Sequence, residues 1–205
     1  EHGPFNLEKA IEYIEQASVG LQYAHERGMV HRDIKPSNLM LDNNGEVKLL
    51  DMGTARIGNQ PEEDLTKSGV IMGTVNYMSP EQAKDPHAVD HRCDIYSLGC
   101  TFYYLLTGKP LYEGDMIQTL MAHANKPIPS VSVANPKIPT WIDTVLAKML
   151  AKNPAKRYSS LLEFRNELQE LADNDDGEGS SFSEELYRAN LTQSYPVGVD
   201  FGTAN

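Results

Sequence analysis

Residues 31 to 53, HRDIKPSNLMLDNNGEVKLLDMG, constrain this chain more than any other stretch. Asp33 is followed five positions later by an amide, Asn38, and a second acid, Asp51, stands directly before Met52-Gly53. Two strand-like apolar runs, Leu39-Met40-Leu41 and Val47-Lys48-Leu49-Leu50, are joined by Asp42-Asn43-Asn44-Gly45. That joint is rich in residues that tolerate positive φ, so the spacing predicts a tight hairpin. A hairpin brings its ends together, which puts Asn38 and Asp51 side by side. An amide oxygen and a carboxylate converging on one point suit Mg²⁺, which takes hard oxygen ligands and keeps bound waters and phosphate oxygens. Asp33, a few residues from that point, is placed to accept a proton from an attacking hydroxyl.

His31, Arg32, Asp33 and Asn38, followed by Asp51-Met52-Gly53, resemble the catalytic loop and metal-binding turn of the eukaryotic-type protein kinases. That family's pattern is H-R-D-x-x-x-x-N, then D-F-G. Met52 replaces the Phe; it is apolar and flexible, and leaves the in/out balance of the metal turn open. The resemblance implies ATP and Mg²⁺ as cofactors, a protein as substrate, and Asn38 and Asp51 as metal ligands. It implies that His31 is structural, packing beneath the metal turn, with Asp33 the better-matched base. Arg32 beside that base can pair with a phosphate on the following loop, as in family members controlled by activation-loop phosphorylation. Lys35 is similar to the lysine of the Ser/Thr-specific branch, whose cation neutralises the transferring phosphate; read alone, it is a loop lysine. Met40 would form the floor of the adenine pocket; read alone, it is a core residue in mid-strand.

Residues 51 to 81 fit the family's activation segment, with Gly and Pro at 53, 58, 61, 69 and 73 and acids at 62 to 64. Thr66 and Ser68 are its candidate phosphorylation switches. Thr74 resembles the threonine that contacts the base and the lysine and lines the substrate groove. The family closes this segment with A-P-E; here it reads Ser79-Pro80-Glu81, a variant frequent in the bacterial branch. A buried Glu81 needs a partner, and Arg157, in NPAKR, matches the family's arginine; the alternative is a surface arginine.

The rest reads as helices. Asn6 can cap a helix to about Arg27, with Leu7, Ala10, Ile11, Ile14, Ala17, Leu21 and Ala24 at helical spacing and Gly28 as its stop. Asp94 to Gly108 is apolar on nearly all sides and predicts the central buried helix. Read alone, Asp94 caps that helix; by the resemblance it accepts backbone N–H bonds from the catalytic loop, and the two roles are compatible. Asp115 caps a helix to His123, a proline-rich connector spans Pro127 to Pro139, Thr140 caps a helix to about Lys152, and Ser159 or Ser160 opens the last one.

No run of about 18 apolar residues exists, so no membrane segment is expected. Nor does a charged-then-apolar leader open the chain, so nothing marks it for secretion. Cys93 and Cys100, seven apart in one helical segment, read as two reduced thiols of a cytoplasmic protein. The net charge is −11, and Ala172 to Asn205 hold seven acids and one base. That balance disfavours nucleic acid as a partner. The tail from Asp173 is expected to be an acidic, disordered linker.

The fold class expected is mainly α with one small β-hairpin: a kinase-like C-terminal lobe (α+β) over residues 1–172, with the catalytic loop at 31–38. The family's Gly-rich loop, strand lysine and paired glutamate do not precede His31. Since the chain opens on Glu1 and runs straight into a helix, an N-terminal lobe is expected upstream in a parent polypeptide. The leading reading is a Ser/Thr protein kinase. A non-catalytic kinase-like binding module is the alternative, and an unrelated Mg²⁺-dependent enzyme a third.

Overall fold

A computed structural model describes residues 4–51, 71–86 and 88–175. Helix α1 (Leu7–His25) starts where Asn6 Oδ1 accepts the Lys9 N–H at 2.9 Å. Its apolar stripe of Ala10, Ile11, Ile14, Ala17, Leu21 and Ala24 is buried. Glu15 is buried on the same helix, and burial pushes its carboxyl above the usual range. The helix ends two residues short of Arg27, and Gly28, at φ +73°, turns the chain toward the loop that follows.

A 3₁₀ turn at Pro36–Asn38 leads into a two-stranded antiparallel hairpin, β1 (Leu39–Leu41) and β2 (Val47–Leu49). Leu39 pairs with Leu49 and Leu41 with Val47, so Leu50 falls outside β2. The turn is longer than four residues: the Asp42 N–H reaches the Glu46 carbonyl, while Asp42 Oδ1 accepts from the Asn44 and Glu46 N–H groups. Those bonds hold the Asp42 carboxyl below the usual carboxylate range. One face of the hairpin rests on α1, where the Val47 N–H donates to Gln16 Oε1 at 2.7 Å. Among the described residues nothing covers the opposite face. Met40 lies on it, paired with Lys48 and 51% exposed, so its reading as core is overturned. An isolated two-stranded ribbon has only one face that a single helix can cover.

Downstream come α2 (Ile71–Thr74), a 3₁₀ turn (Val75–Tyr77) and α3 (Pro80–Lys84). The segment predicted as loop is therefore partly helical over its last third. Helix α4 (Arg92–Thr107) is the central element, with thirteen of its sixteen residues buried. Its polar members find partners inside: Ser97 Oγ donates to the Tyr77 carbonyl at 2.7 Å and Thr101 Oγ1 to the Ser97 carbonyl at 2.9 Å. Cys93 and Cys100 are buried free thiols, and burial raises both.

Helix α5 (Met116–Asn125) is capped by Asp115 through a capping box with Gln118. The proline-rich connector contains a short helix, α6 (Val131–Ala134), because Asp143 accepts the Val131 N–H at 2.6 Å and the Ser130 hydroxyl at 2.8 Å. Helix α7 (Trp141–Met149) carries Asp143 and stops before Lys152; Thr140 precedes it without a side-chain cap bond. Gly99 lets α7 pack directly on α4: a Cβ there would meet Met149 Cβ at 2.9 Å and Leu150 Cδ2 at 3.1 Å. After a 3₁₀ turn (Pro154–Lys156), α8 (Leu161–Asp175) is opened by Ser160, whose hydroxyl accepts the Glu163 N–H at 3.1 Å. It runs past the expected boundary at Asp173, held by Trp141 Nε1 donating to Asp175 at 2.9 Å. Among the described residues no helix is long and apolar enough to cross a membrane.

Candidate active site

The buried carboxylate of Asp94 organises the loop after α1. Its Oδ2 accepts the His31 N–H at 2.8 Å, and its Oδ1 accepts the Arg32 N–H at 2.7 Å. His25 Nε2 lies 2.8 Å from the same Oδ2. Because α4 begins at Arg92, two residues before Asp94, this side chain is not the helix cap; both oxygens face the loop. Arg32 is thereby held at φ +68°, a conformation a long side chain rarely adopts. His31 is fully buried, and its Nε2 bonds the Leu50 carbonyl at 2.9 Å, one residue before Asp51.

Four candidate residues converge beyond that anchor. Lys35 Nζ donates to Asp33 Oδ2 at 2.8 Å and to Thr74 Oγ1 at 2.9 Å. Asn38 Nδ2 donates to the Asp33 carbonyl at 2.8 Å and to Asp33 Oδ2 at 3.0 Å. Thus one oxygen of Asp33 is charge-compensated and fixed, while Oδ1 accepts no hydrogen bond among the described residues. The Asp33 side chain is 23% exposed, so solvent or a substrate can reach it. Thr74 comes from α2, so the cluster joins the loop at 31–38 to the segment that ends at Glu81.

Whether these residues could hold Mg²⁺ turns on the Asn38 amide. Its nitrogen faces two oxygen acceptors, which leaves its oxygen as the outward atom. The Leu50 N–H donates to the Asn38 carbonyl at 2.9 Å, closing the hairpin mouth beside the exposed Asp51, itself at φ +58°. One amide oxygen and one carboxylate fit a magnesium ion that keeps waters and phosphate oxygens, not an all-protein cage. No group of three or more His, Cys, Asp or Glu able to hold a metal occurs among the described residues.

Glu81 and Arg157 form a bidentate ion pair, with Nη1–Oε1 at 2.6 Å and Nη2–Oε2 at 2.8 Å, so Arg157 is not a surface residue. Met52, Gly53, Thr66 and Ser68 lie outside the described residues.

Two contacts escaped the sequence reading. His25 reaches Asp94 across 69 positions, which no spacing rule reveals. Gln82 donates through Nε2 to the Arg32 carbonyl at 2.9 Å. The S-x-x-Q of a capping box at Ser79–Gln82 was a readable signal for half of that arrangement.

The chain matches the protein kinase domain family model over residues 1–170. It is 36% identical to serine/threonine-protein kinase PknB of Mycobacterium tuberculosis (strain ATCC 25177 / H37Ra) over 194 residues, 94% of this chain and 31% of that protein. It is 39% identical over 168 residues to PknB of Mycolicibacterium smegmatis (strain ATCC 700084 / mc(2)155), 81% of this chain and 27% of the relative. Against serine/threonine-protein kinase PknE of Mycobacterium tuberculosis it is 40% identical over 156 residues, 76% of this chain and 27% of the relative. It therefore spans about a third or less of the length of these relatives. Motif, geometry and these matches agree that the chain belongs to the protein kinase domain family.

Proposed function

We propose that this chain is the C-terminal lobe of a Ser/Thr protein kinase that transfers the γ-phosphate of ATP to a protein hydroxyl. The observation that carries the reading is the Asp33–Lys35–Thr74 cluster, in which a part-exposed carboxylate is held by a cation and an amide with one oxygen left open. Asp33 Oδ1 accepts the proton of the substrate hydroxyl. Lys35 stabilises charge on the transferred group and fixes Asp33 Oδ2 through its hydrogen bond. Thr74 links Lys35 to the wall of the groove that takes the protein substrate. Asn38 and Asp51 would hold Mg²⁺, which when bound neutralises charge on the phosphates. Arg32, whose Nε is buried without a hydrogen-bond partner, would receive a phosphate carried on Thr66 or Ser68.

The hairpin face that carries Met40, 51% exposed, is where an N-terminal lobe elsewhere in the parent polypeptide would close over the nucleotide. A non-catalytic binding module would leave the same face open, but has no need of the Asp33–Lys35–Thr74 geometry. The test is phosphate transfer by the native polypeptide that contains this chain, with ATP and Mg²⁺, against its Asp33→Asn variant. Loss of transfer by about 10³-fold or more is expected. Transfer at the native rate in the variant would sink the role of Asp33, and none in the native polypeptide would favour the binding module.

A further inference from the structure

The geometry points to Gln82 as a positioning residue that holds the backbone of Arg32, and through it the orientation of Asp33. The inference rests on the phosphotransfer reading for its kinetic consequence, though not for its structural one. Gln82 occupies the third position of α3, where its oxygen has a local task. Oε1 accepts the Ser79 N–H at 3.1 Å and the Ser79 hydroxyl at 2.9 Å, which completes the capping box of that helix. A glutamate would serve there equally well, and S/T-x-x-E is the commoner form of the motif. What glutamine adds is a donor. Nε2 reaches away from α3 and donates to the Arg32 carbonyl at 2.9 Å, across 50 positions.

Arg32 is one of two non-glycine described residues with positive φ. Its N–H is held by Asp94 Oδ1 and its carbonyl by Gln82, so the residue is pinned on both sides of its unfavourable backbone angle. The peptide unit that Gln82 holds is the one leading into Asp33. Rotation of that unit would swing the Asp33 backbone, and with it the carboxylate that Lys35 and Asn38 converge on. The amide cannot reverse to compensate, because Ser79 donates to its oxygen while the Arg32 carbonyl requires its nitrogen. A single side chain thus links the end of the segment after Thr74 to the loop before Asp33. Small misplacement of a catalytic group costs rate disproportionately.

Gln82→Glu separates the two tasks, because it keeps the acceptor for Ser79 and removes the donor to Arg32. Gln82→Met, uncharged, controls for repulsion between the new carboxylate and the carbonyl. In the native polypeptide, both variants should lower kcat about tenfold, with KM for ATP within about twofold of the native value. Hydrogen exchange over residues 29–35 should accelerate by roughly tenfold in both, with Tm nearly unchanged in Gln82→Glu. Ser79→Ala removes the cap hydroxyl but leaves the Gln82 nitrogen in place. It should lower Tm while exchange over 29–35 stays slow. Native exchange and native kcat in Gln82→Glu would overturn the proposal. If the unaltered polypeptide transfers no phosphate, the phosphotransfer reading falls, and the exchange comparison by itself decides whether Gln82 holds the loop.

Discussion

Arg157 and Glu81, 76 positions apart, are joined by two parallel hydrogen bonds of 2.6 and 2.8 Å. The Arg157 guanidinium also donates to the carbonyls of Ala151 and Arg92 and lies over the Tyr96 ring at 4.8 Å from its centroid. Its side chain is wholly buried while Glu81 is 20% exposed, so the charge is satisfied almost entirely by protein atoms. The pair fastens α3, which carries Gln82, to the turn between α7 and α8 and to the central helix.

Arg157→Met should destabilise the fold by about 3–5 kcal/mol, because it leaves the Glu81 carboxylate and several buried carbonyls without a donor. Arg157→Lys should recover less than half of that, since an ammonium cannot form the parallel pair. Urea denaturation followed by circular dichroism checks both. A midpoint unchanged in Arg157→Met would mean that the pair does not hold α3.

Asp94→Asn keeps the size of the side chain but turns one acceptor oxygen into a donor facing the N–H of His31 or Arg32. The expected loss is about 2–3 kcal/mol. It should come with faster hydrogen exchange at those two amides, measured by mass spectrometry, and native exchange would contradict the anchoring.

Gly99→Ala should cost about 1–3 kcal/mol by overpacking, because the added Cβ would sit 2.9 Å from Met149 Cβ. Combining it with Leu150→Ala removes the Cδ2 and Cγ atoms that the added Cβ would meet at 3.1 and 3.2 Å. The double variant should lose less than the sum of the two single losses, and simple additivity in a thermodynamic cycle would show that the helices do not touch there.

His123 predicts an acid-side loss of stability. It is fully buried, with Nδ1 2.8 Å from the Tyr96 hydroxyl; burial first, and Lys152 second, push its pKa down from 6.5 to about 4. The folded state therefore binds its proton less readily than the unfolded state. Its contribution is full above about pH 6.5 and is lost as the pH falls toward 4, by roughly 3 kcal/mol in all. Tm measured at pH 7 and pH 4.5 should drop more in the native chain than in His123→Gln. Equal drops would remove His123 from the titration.

The local signals are legible in the sequence. The α1 stripe from Ala10 to Ala24, the Asn6 and Asp115 caps, the hairpin around Gly45 and the buried α4 all follow from periodicity and cap chemistry that act over a few residues. The candidate site was legible in part: Asp33, Asn38 and Asp51 from their residue types around the hairpin, and Lys35 only through the resemblance to the kinase catalytic loop. α6 is a single turn: its N-cap, Ser130, is local and accepts the Val133 N–H at 3.1 Å, but the Asp143 carboxylate that takes the Val131 N–H and orients the Ser130 hydroxyl lies on the next helix, where no local pattern reveals it.

By itself, then, the sequence determined the long helices, which stretch closes into a hairpin, and which candidate side chains carry acid, amide and cationic groups at the hairpin mouth; these are local properties of backbone preference and functional group. Tertiary structure alone decided that Met40 lies on an open face, that Asp94 faces the loop without capping its helix, that His25 meets Asp94, and that Asp94 and Gln82 hold Arg32 at its N–H and its carbonyl. The reason is physical. Burial and hydrogen-bond partnership are settled by what packs against a residue from a distant part of the chain, and a side chain such as the Gln82 amide serves a second partner only once folding has brought that partner within reach.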